Sequence, residues 1–312
     1  MKILSMSGLI PEHICDTVRF TQYTGDRNIS HYCGYASDFI SQVIQDDTID
    51  GAVFPKSCDS TRILLSYLSD TEKFIHQINV PQIGSVGSIQ YFASEICRYK
   101  ENVEKYFGIR INDIGERIEL INKRNQELKA IYDSLDSILY SDYIRTIHHL
   151  LTLPLHEQKI PRIEENSSDN KRIYLIGSFI YNIDIIRTIE SVGLKIVGDD
   201  LPESGRLVSG KRISSGKDYY ESVARSILEQ HRSPSQNGFR TILESDIREI
   251  ENKDISGVIF ICQQYCEPYE FYYSLIKKEL DQKGIQVLKL PLSGVDDLRR
   301  SMIALEAFAD TL

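Results

Sequence analysis

The chain has 312 residues, 41% hydrophobic and 26% charged, with a formal net charge of -9, the composition of a globular protein with one large core or two ordinary ones. Acids and bases are mixed along its length, which excludes nucleic-acid binding through a basic surface. No apolar run reaches the roughly 18 residues of a membrane span and the start, MKILSMSGLIPEH, lacks a signal-peptide core, so a cytoplasmic protein with no membrane partner is expected.

The first cysteine, Cys15, sits in PEHICDTV, a short helix expected after a first strand. Cys33, in ISHYCGYASDF, precedes a helical pattern beside a glycine that permits close backbone approach. TIDGAVFPKSCDSTRILLSYL gives an apolar run from Gly51 to Phe54, a turn with Cys58, and Ile63, Leu64 and Leu68 at helical spacing. From about Ile89 to His149 the pattern is nearly all helical, and PLHEQKIPRIEENSSDN then forms a polar connection.

KRIYLIGSFIYNIDIIRTIESVGLKIVGDD follows, with a strand from Ile173 to Ile176, a helix carrying Ile185, Ile186 and Ile189, a glycine stop, and a strand from Leu194 to Val197. DISGVIFICQQYCEPYEFYYSLIKKELDQKGIQVLKLPL repeats the grammar, with apolar runs at Val258 to Ile261 and Ile285 to Leu290 around a helix reaching about Lys283. Strand, loop, helix, strand belongs to parallel sheets covered by helices. The expected organisation is an N-terminal α/β domain over 1–160, with long helices and carrying Cys33 and Cys58, and a C-terminal α/β domain over 170–312 carrying Cys266. Ligands in such folds sit beyond the carboxyl ends of the strands or in the cleft between domains.

In a reducing compartment six cysteines do not form a disulfide framework, so each is buried, a metal ligand or reactive. Cys33, Cys58 and Cys266 share one setting, a loop before a helix start, where free N–H groups and the helix dipole favour a thiolate. Cys97 repeats with Phe92, Ile96 and Val103 as a packed helix position, Cys15 reads as core, and Cys262, four positions before Cys266, as core or as a residue close to a cluster. The absence of any C-x-x-C pair speaks against structural zinc. Three thiolates converging on a cleft suit an iron-sulfur cluster with one open iron, and unrelated thiols remain the other reading.

His31, two positions before Cys33, is a candidate for proton transfer because histidine titrates near neutral pH. Asp59 and Glu267 read as first-turn acids, and Asp199 and Asp200 as loop caps or cleft residues. RLVSGKR, with Arg206, Lys211 and Arg212, reads as a solvated loop or a contact for phosphates. The glycine turn at Gly177 carries neither G-x-G-x-x-G nor a Walker lysine, so no nucleotide site is expected within this chain.

In segment order the chain resembles the 2-hydroxyacyl-CoA dehydratase and benzoyl-CoA reductase family, of the cluster-bearing subunit type. GLIPEHICDTVRFTQYTG resembles its opening, YCGYASDF and DGAVFPKSCDSTRILLSYL its first two cysteine segments, and DISGVIFICQQYCEPYEFYYSLIKKELDQKGIQVLKL its third. INVPQIGSVGSIQYFASEICRYK is similar to the segment with the family's acid, here Glu95, with Asn125 as the later asparagine. The resemblance implies two flavodoxin-like domains with a [4Fe-4S] cluster in the interdomain cleft, held by Cys33, Cys58 and Cys266. It also implies a homologous second subunit, a separate ATP-dependent iron-sulfur activator and an acyl-CoA-like substrate.

The implied activity is a radical lyase that eliminates water through a ketyl radical after one-electron reduction. Within the resemblance the alternatives are a structural or electron-relay cluster subunit and a benzoyl-CoA-reductase-like enzyme. A metal-free α/β binding protein is the reading from another class. The chain departs from the family pattern at Ser235, where many members have cysteine, and at Ala304 and Leu305, in place of a threonine-arginine pair.

Overall fold

The computed structural model describes residues 1–19, 32–81, 85–166, 168–180, 182–216, 218–230, 233–235, 238–292 and 297–312. The first sheet holds β1 (Ile3–Ser5), β2 (Thr17–Arg19), β3 (Gly51–Lys56) and β4 (Phe74–Asn79) in the order β2-β1-β3-β4, every pair parallel. With it come α1 (Gly34–Gln45), α2 (Asp59–Arg62), α3 (Leu64–Leu68), α4 (Val86–Phe107), α5 (Ile114–Tyr132) and α6 (Tyr140–Leu151). A second parallel sheet holds β5 (Lys171–Gly177), β6 (Leu194–Asp200), β7 (Gly257–Gln263) and β8 (Gln286–Leu292) in the order β6-β5-β7-β8. Its part of the chain adds α7 (Ile183–Ser191), α8 (Gly205–Val208), α9 (Tyr219–Gln230), α10 (Phe239–Glu251), α11 (Glu267–Gln282) and α12 (Asp297–Thr311).

The chain thus contains two parallel α/β units of the same strand order, consistent with flavodoxin-like folds. Helices on both faces explain the strand sequences. All seven residues of β7 are buried, as a strand covered on both sides requires, and each large apolar side chain so buried contributes about 2 kcal/mol. Pro291 lies on β8, at the sheet edge, where a missing N–H breaks no inner ladder. Gly177 is required by contact: a Cβ there would lie 2.1 Å from the Ile261 carbonyl oxygen, so β5 and β7 approach at the ends that face the site.

One face of the first sheet packs on α1 and α3 through Phe39, Val43, Phe54 and Leu64. The other packs on α4, whose Phe92, Ile96 and Tyr99 share a core with Val223 and Ile227 of α9. In the second sheet Leu175, Ile259 and Ile261 meet Ile147 of α6, Ile189 of α7 and Leu305 of α12. Its opposite face, with Val258 and Phe260, meets Ile242 of α10 and Tyr272 of α11. Helix α6 therefore serves the second sheet and α9 the first, and this exchange fixes the carboxyl ends of the two sheets against each other. Among the described residues no helix is long and apolar enough to cross a membrane.

Candidate functional site

In each sheet the chain departs in opposite directions from a neighbouring pair of strands, β1 and β3 in one and β5 and β7 in the other, and ligands gather at such switch points. A pocket of about 100 Å³ lies there, walled by the segments that leave all four strands: Ser7 and Gly8, Ser57 and Cys58, Ser178 and Phe179, Gln263 and Cys266. Cys33 completes it from the start of α1. Thus Cys33, Cys58 and Cys266, far apart in sequence, line one pocket.

Each of the three is the residue that opens a helix. Cys33 precedes α1, and its carbonyl accepts from the Ala36 and Ser37 amides at 3.0 and 3.1 Å. Cys58 precedes α2, where the Thr61 hydroxyl accepts from its amide at 3.0 Å. Cys266 precedes α11, and its carbonyl accepts from the Tyr269 and Glu270 amides, both at 3.1 Å. The turn from β7 into α11 passes through Tyr265 at φ 64°, a left-handed conformation that costs a residue with a Cβ about 1–2 kcal/mol. That kink brings Cys266 back over the strand end.

Burial pushes the Cys33 thiol up to about 12, with the neighbouring Cys58 adding to the rise and the Ala36 amide opposing it. Burial also holds Cys266 well above the ordinary thiol range, reinforced by Cys33, Cys262 and Cys58. Among the described residues no group of three or more His, Cys, Asp or Glu side chains is arranged to hold a metal ion. The three thiols therefore share a pocket without forming a preassembled single-ion site.

The remaining sequence candidates separate. His31 lies outside the described residues. Glu95, buried on α4, does not line the pocket. Its Oε2 accepts from the Asn79 amide at 3.1 Å and the Asn79 side chain at 2.8 Å and pairs with Arg98, which ties α4 to the end of β4. Cys262 is fully buried under α11, and Cys15 is buried with its sulfur 3.3 Å from the Tyr99 hydroxyl. Cys97 is only half-buried on α4. In place of the helix expected around Cys15, residues 12–15 form turns.

Asp199 is a loop cap, accepting from the Leu201 and Gly205 amides at 2.9 and 2.8 Å and from the Ser204 hydroxyl at 2.6 Å. Within RLVSGKR, Arg206 departs from the reading of a solvated stretch. It is 4% exposed, with two guanidinium nitrogens on the Asp200 carboxylate and a third donating to the Tyr269 hydroxyl at 2.8 Å. Arg206 lines the pocket, but its charge is already matched. Lys211 and Arg212 are exposed and pair with Glu229 and Glu119.

Sequence reasoning missed the polar wall made by Ser7, Ser178, Ser233 and Gln263. Small polar residues directly after apolar strands, as in ILSMSGL and YLIGSF, were the available signal.

The family model described as 2-hydroxyglutaryl-CoA dehydratase, D-component, matches residues 2–312. The chain is 21% identical over 290 residues to the (R)-phenyllactyl-CoA dehydratase beta subunit of Clostridium sporogenes, covering 85% of this chain and 76% of that protein. It is 23% identical over 316 residues to the (R)-2-hydroxyglutaryl-CoA dehydratase subunit beta of Acidaminococcus fermentans, covering 91% of this chain and 82% of that protein. With its segment order, its paired parallel sheets and a family match over nearly its whole length, the chain belongs to the 2-hydroxyacyl-CoA dehydratase and benzoyl-CoA reductase family.

Proposed function

We propose that this chain is the iron-sulfur subunit of a radical 2-hydroxyacyl-CoA dehydratase-like lyase, with Cys33, Cys58 and Cys266 holding a [4Fe-4S] cluster. It works beside a homologous second subunit, receives its electron from a separate ATP-dependent iron-sulfur activator, and serves a reaction on an acyl-CoA-like substrate. The observation that carries the reading is the meeting of three thiols from three distant segments in one pocket between the two sheets. The donor set fits: thiols spread around a pocket suit a polynuclear cluster, whose ligands bind different irons, better than a single zinc, whose ligands converge on one point.

When bound, such a cluster supplies one-electron reduction and an iron with an open position that acts as a Lewis acid. The residues of the chain do the rest. Met6, Leu9 and Phe179 set apolar surface between the polar groups of the wall, and the less water that surrounds those groups, the stronger their interactions are. The hydroxyls of Ser7, Ser57 and Ser178 stand ready to donate to a thiolate or an oxygen.

One observation favours a second reading, in which the cluster is structural or relays electrons while the partner holds the substrate. Arg206 is the only charged residue among the described residues of the wall, and Asp200 and Tyr269 occupy it. Leu305, at the position of the family's arginine, is fully buried in the core.

Anaerobic reconstitution tests the proposal, with about four irons and four sulfides per chain expected. A colourless protein with none would mean a metal-free α/β binding protein. Electron paramagnetic resonance of the reduced chain, alone and with its partner, titrated with 2-hydroxyacyl-CoA and aromatic CoA thioesters, separates the two cluster readings. A response in this chain supports catalysis here, and a response only in the partner supports the relay.

A further inference from the structure

Tyr269 and Arg206 both line the cysteine pocket and are joined by a hydrogen bond, in which Arg206 Nη1 donates to the phenolic oxygen at 2.8 Å. Cys266 caps α11 and Tyr269 stands three residues on, in its first turn, a spacing that puts two side chains on one face of a helix. The Tyr269 amide donates to the Cys266 carbonyl at 3.1 Å, which ties the two backbones together. The buried ring packs against Phe260 with centroids 6.3 Å apart.

A phenol keeps its one proton at neutral pH. A guanidinium can only donate, so the bond from Arg206 uses the Tyr269 oxygen as acceptor and leaves the hydroxyl proton to point elsewhere. Among the described residues no acceptor takes that proton. A charged donor on the oxygen also polarises the O–H bond, because hydrogen bonds in a chain strengthen one another. Two further nitrogens of Arg206 are held by the Asp200 carboxylate, so the phenolic oxygen is anchored from behind. Other hydroxyls of the wall are already engaged. Ser233 and Ser235 bond to each other at 2.7 Å, and Thr61 donates to the Cys58 carbonyl at 2.9 Å.

We propose that Tyr269 is the fixed hydrogen-bond donor of the cysteine-lined pocket, positioned and polarised by Arg206, and that its acceptor is an electron-rich atom held there, a cluster sulfur or a substrate oxygen. The inference rests on the cluster reading above. A donor aimed at such an atom stabilises the form that carries more negative charge. It therefore favours the reduced state, and no bond to the phenol is made or broken.

Tyr269→Phe keeps the ring and removes only the hydroxyl. After anaerobic reconstitution this variant should hold as much iron and sulfide as the wild type and show a more negative midpoint potential, read by electron paramagnetic resonance during a redox titration. A shift without substrate makes the acceptor a cluster sulfur. A shift only in the presence of a 2-hydroxyacyl-CoA thioester makes it a substrate oxygen, and kcat with activator then falls about a hundredfold with KM little changed. Arg206→Lys should lie between the two, since one charged donor remains behind the phenol. In the cluster-free chain with isotope-labelled tyrosine, the Cζ resonance missing from Tyr269→Phe belongs to this residue and should move in Arg206→Lys. A resonance that stays in place overturns the part given to Arg206. A fully loaded Tyr269→Phe chain with wild-type potential, with and without thioester, overturns the donor. So does a folded Tyr269→Phe chain, checked by circular dichroism, that holds no iron, because the phenol would then be needed for assembly. A wild-type chain that takes up no iron refutes the cluster reading instead and removes the acceptor with it.

Discussion

The rings of Tyr35 and Phe179 stack with centroids 4.2 Å apart and planes 1° from parallel, one from the start of α1 and the other from the loop after β5. The contact joins the two α/β units at the pocket, since both residues line it. Truncating Phe179, which is half-buried, removes the stack and part of the apolar wall. Phe179→Ala is expected to lower unfolding stability by about 2 kcal/mol in urea titration. It should also speed hydrogen exchange of the loop amides around Ser178. Unchanged stability and exchange would mean that the stack does not hold the two units together.

His76 is 6% exposed, with its ring against Phe74 and Tyr99. Burial pushes it down to about 4, with Arg98 adding to the fall and Glu95 opposing it. The unfolded chain binds this proton near the ordinary histidine value of about 6.5, so above that pH the group has no effect on stability. As pH falls through about 6.5 toward about 4, the unfolded state gains a proton that the folded state refuses, and about 3 kcal/mol of stability is lost. His13, lowered to about 4 mainly by its own burial, acts in the same direction. His148, also lowered to about 4 by burial, does the same, so His76→Phe should remove about a third of the slope that these three histidines contribute, measured as denaturation midpoints across that window.

Arg206 and Asp200 form a buried pair at the pocket's edge, 4% and 15% exposed at their side chains. Removing one partner leaves the other charge without compensation. Arg206→Met is expected to cost about 3–5 kcal/mol, and the double variant with Asp200→Asn to recover part of that loss. Thermal or urea unfolding of the three variants gives the coupling. Additive losses would show that the pair is not coupled.

The strands that carry the site were legible because a parallel strand covered on both faces must be a short apolar run, and GAVFPK and GVIFICQ are such runs. The setting of Cys33, Cys58 and Cys266 was legible too, since each directly precedes a helix. The assignment of helices to sheets was not. Periodicity tells that α6 and α9 each bury a face, but not which sheet receives it, and the chain sends each across to the other unit. Arg206 was misread because Lys and Arg are ordinarily exposed. Its partner Asp200 lies six residues earlier, across a tight loop that only the fold closes.

The ligand assignment gives the last prediction. Cys33, Cys58 and Cys266 line the pocket, whereas Cys97 sits half-buried on α4 and Cys262 is packed beneath α11 with its sulfur 3.6 Å from the Gln263 carbonyl oxygen. A hydroxyl is a poorer iron ligand than a thiolate. Cys33→Ser, Cys58→Ser and Cys266→Ser should each lose most of the iron and sulfide after anaerobic reconstitution, while Cys97→Ser keeps it. Cys262→Ser places a hydroxyl in an apolar core, so a stability loss of about 1–2 kcal/mol is expected with occupancy retained. Circular dichroism of each variant separates lost ligation from lost fold. If Cys33→Ser binds iron fully with an unchanged paramagnetic spectrum, or Cys262→Ser empties a folded chain, then a cysteine outside the pocket wall is the ligand and the pocket is not the cluster site.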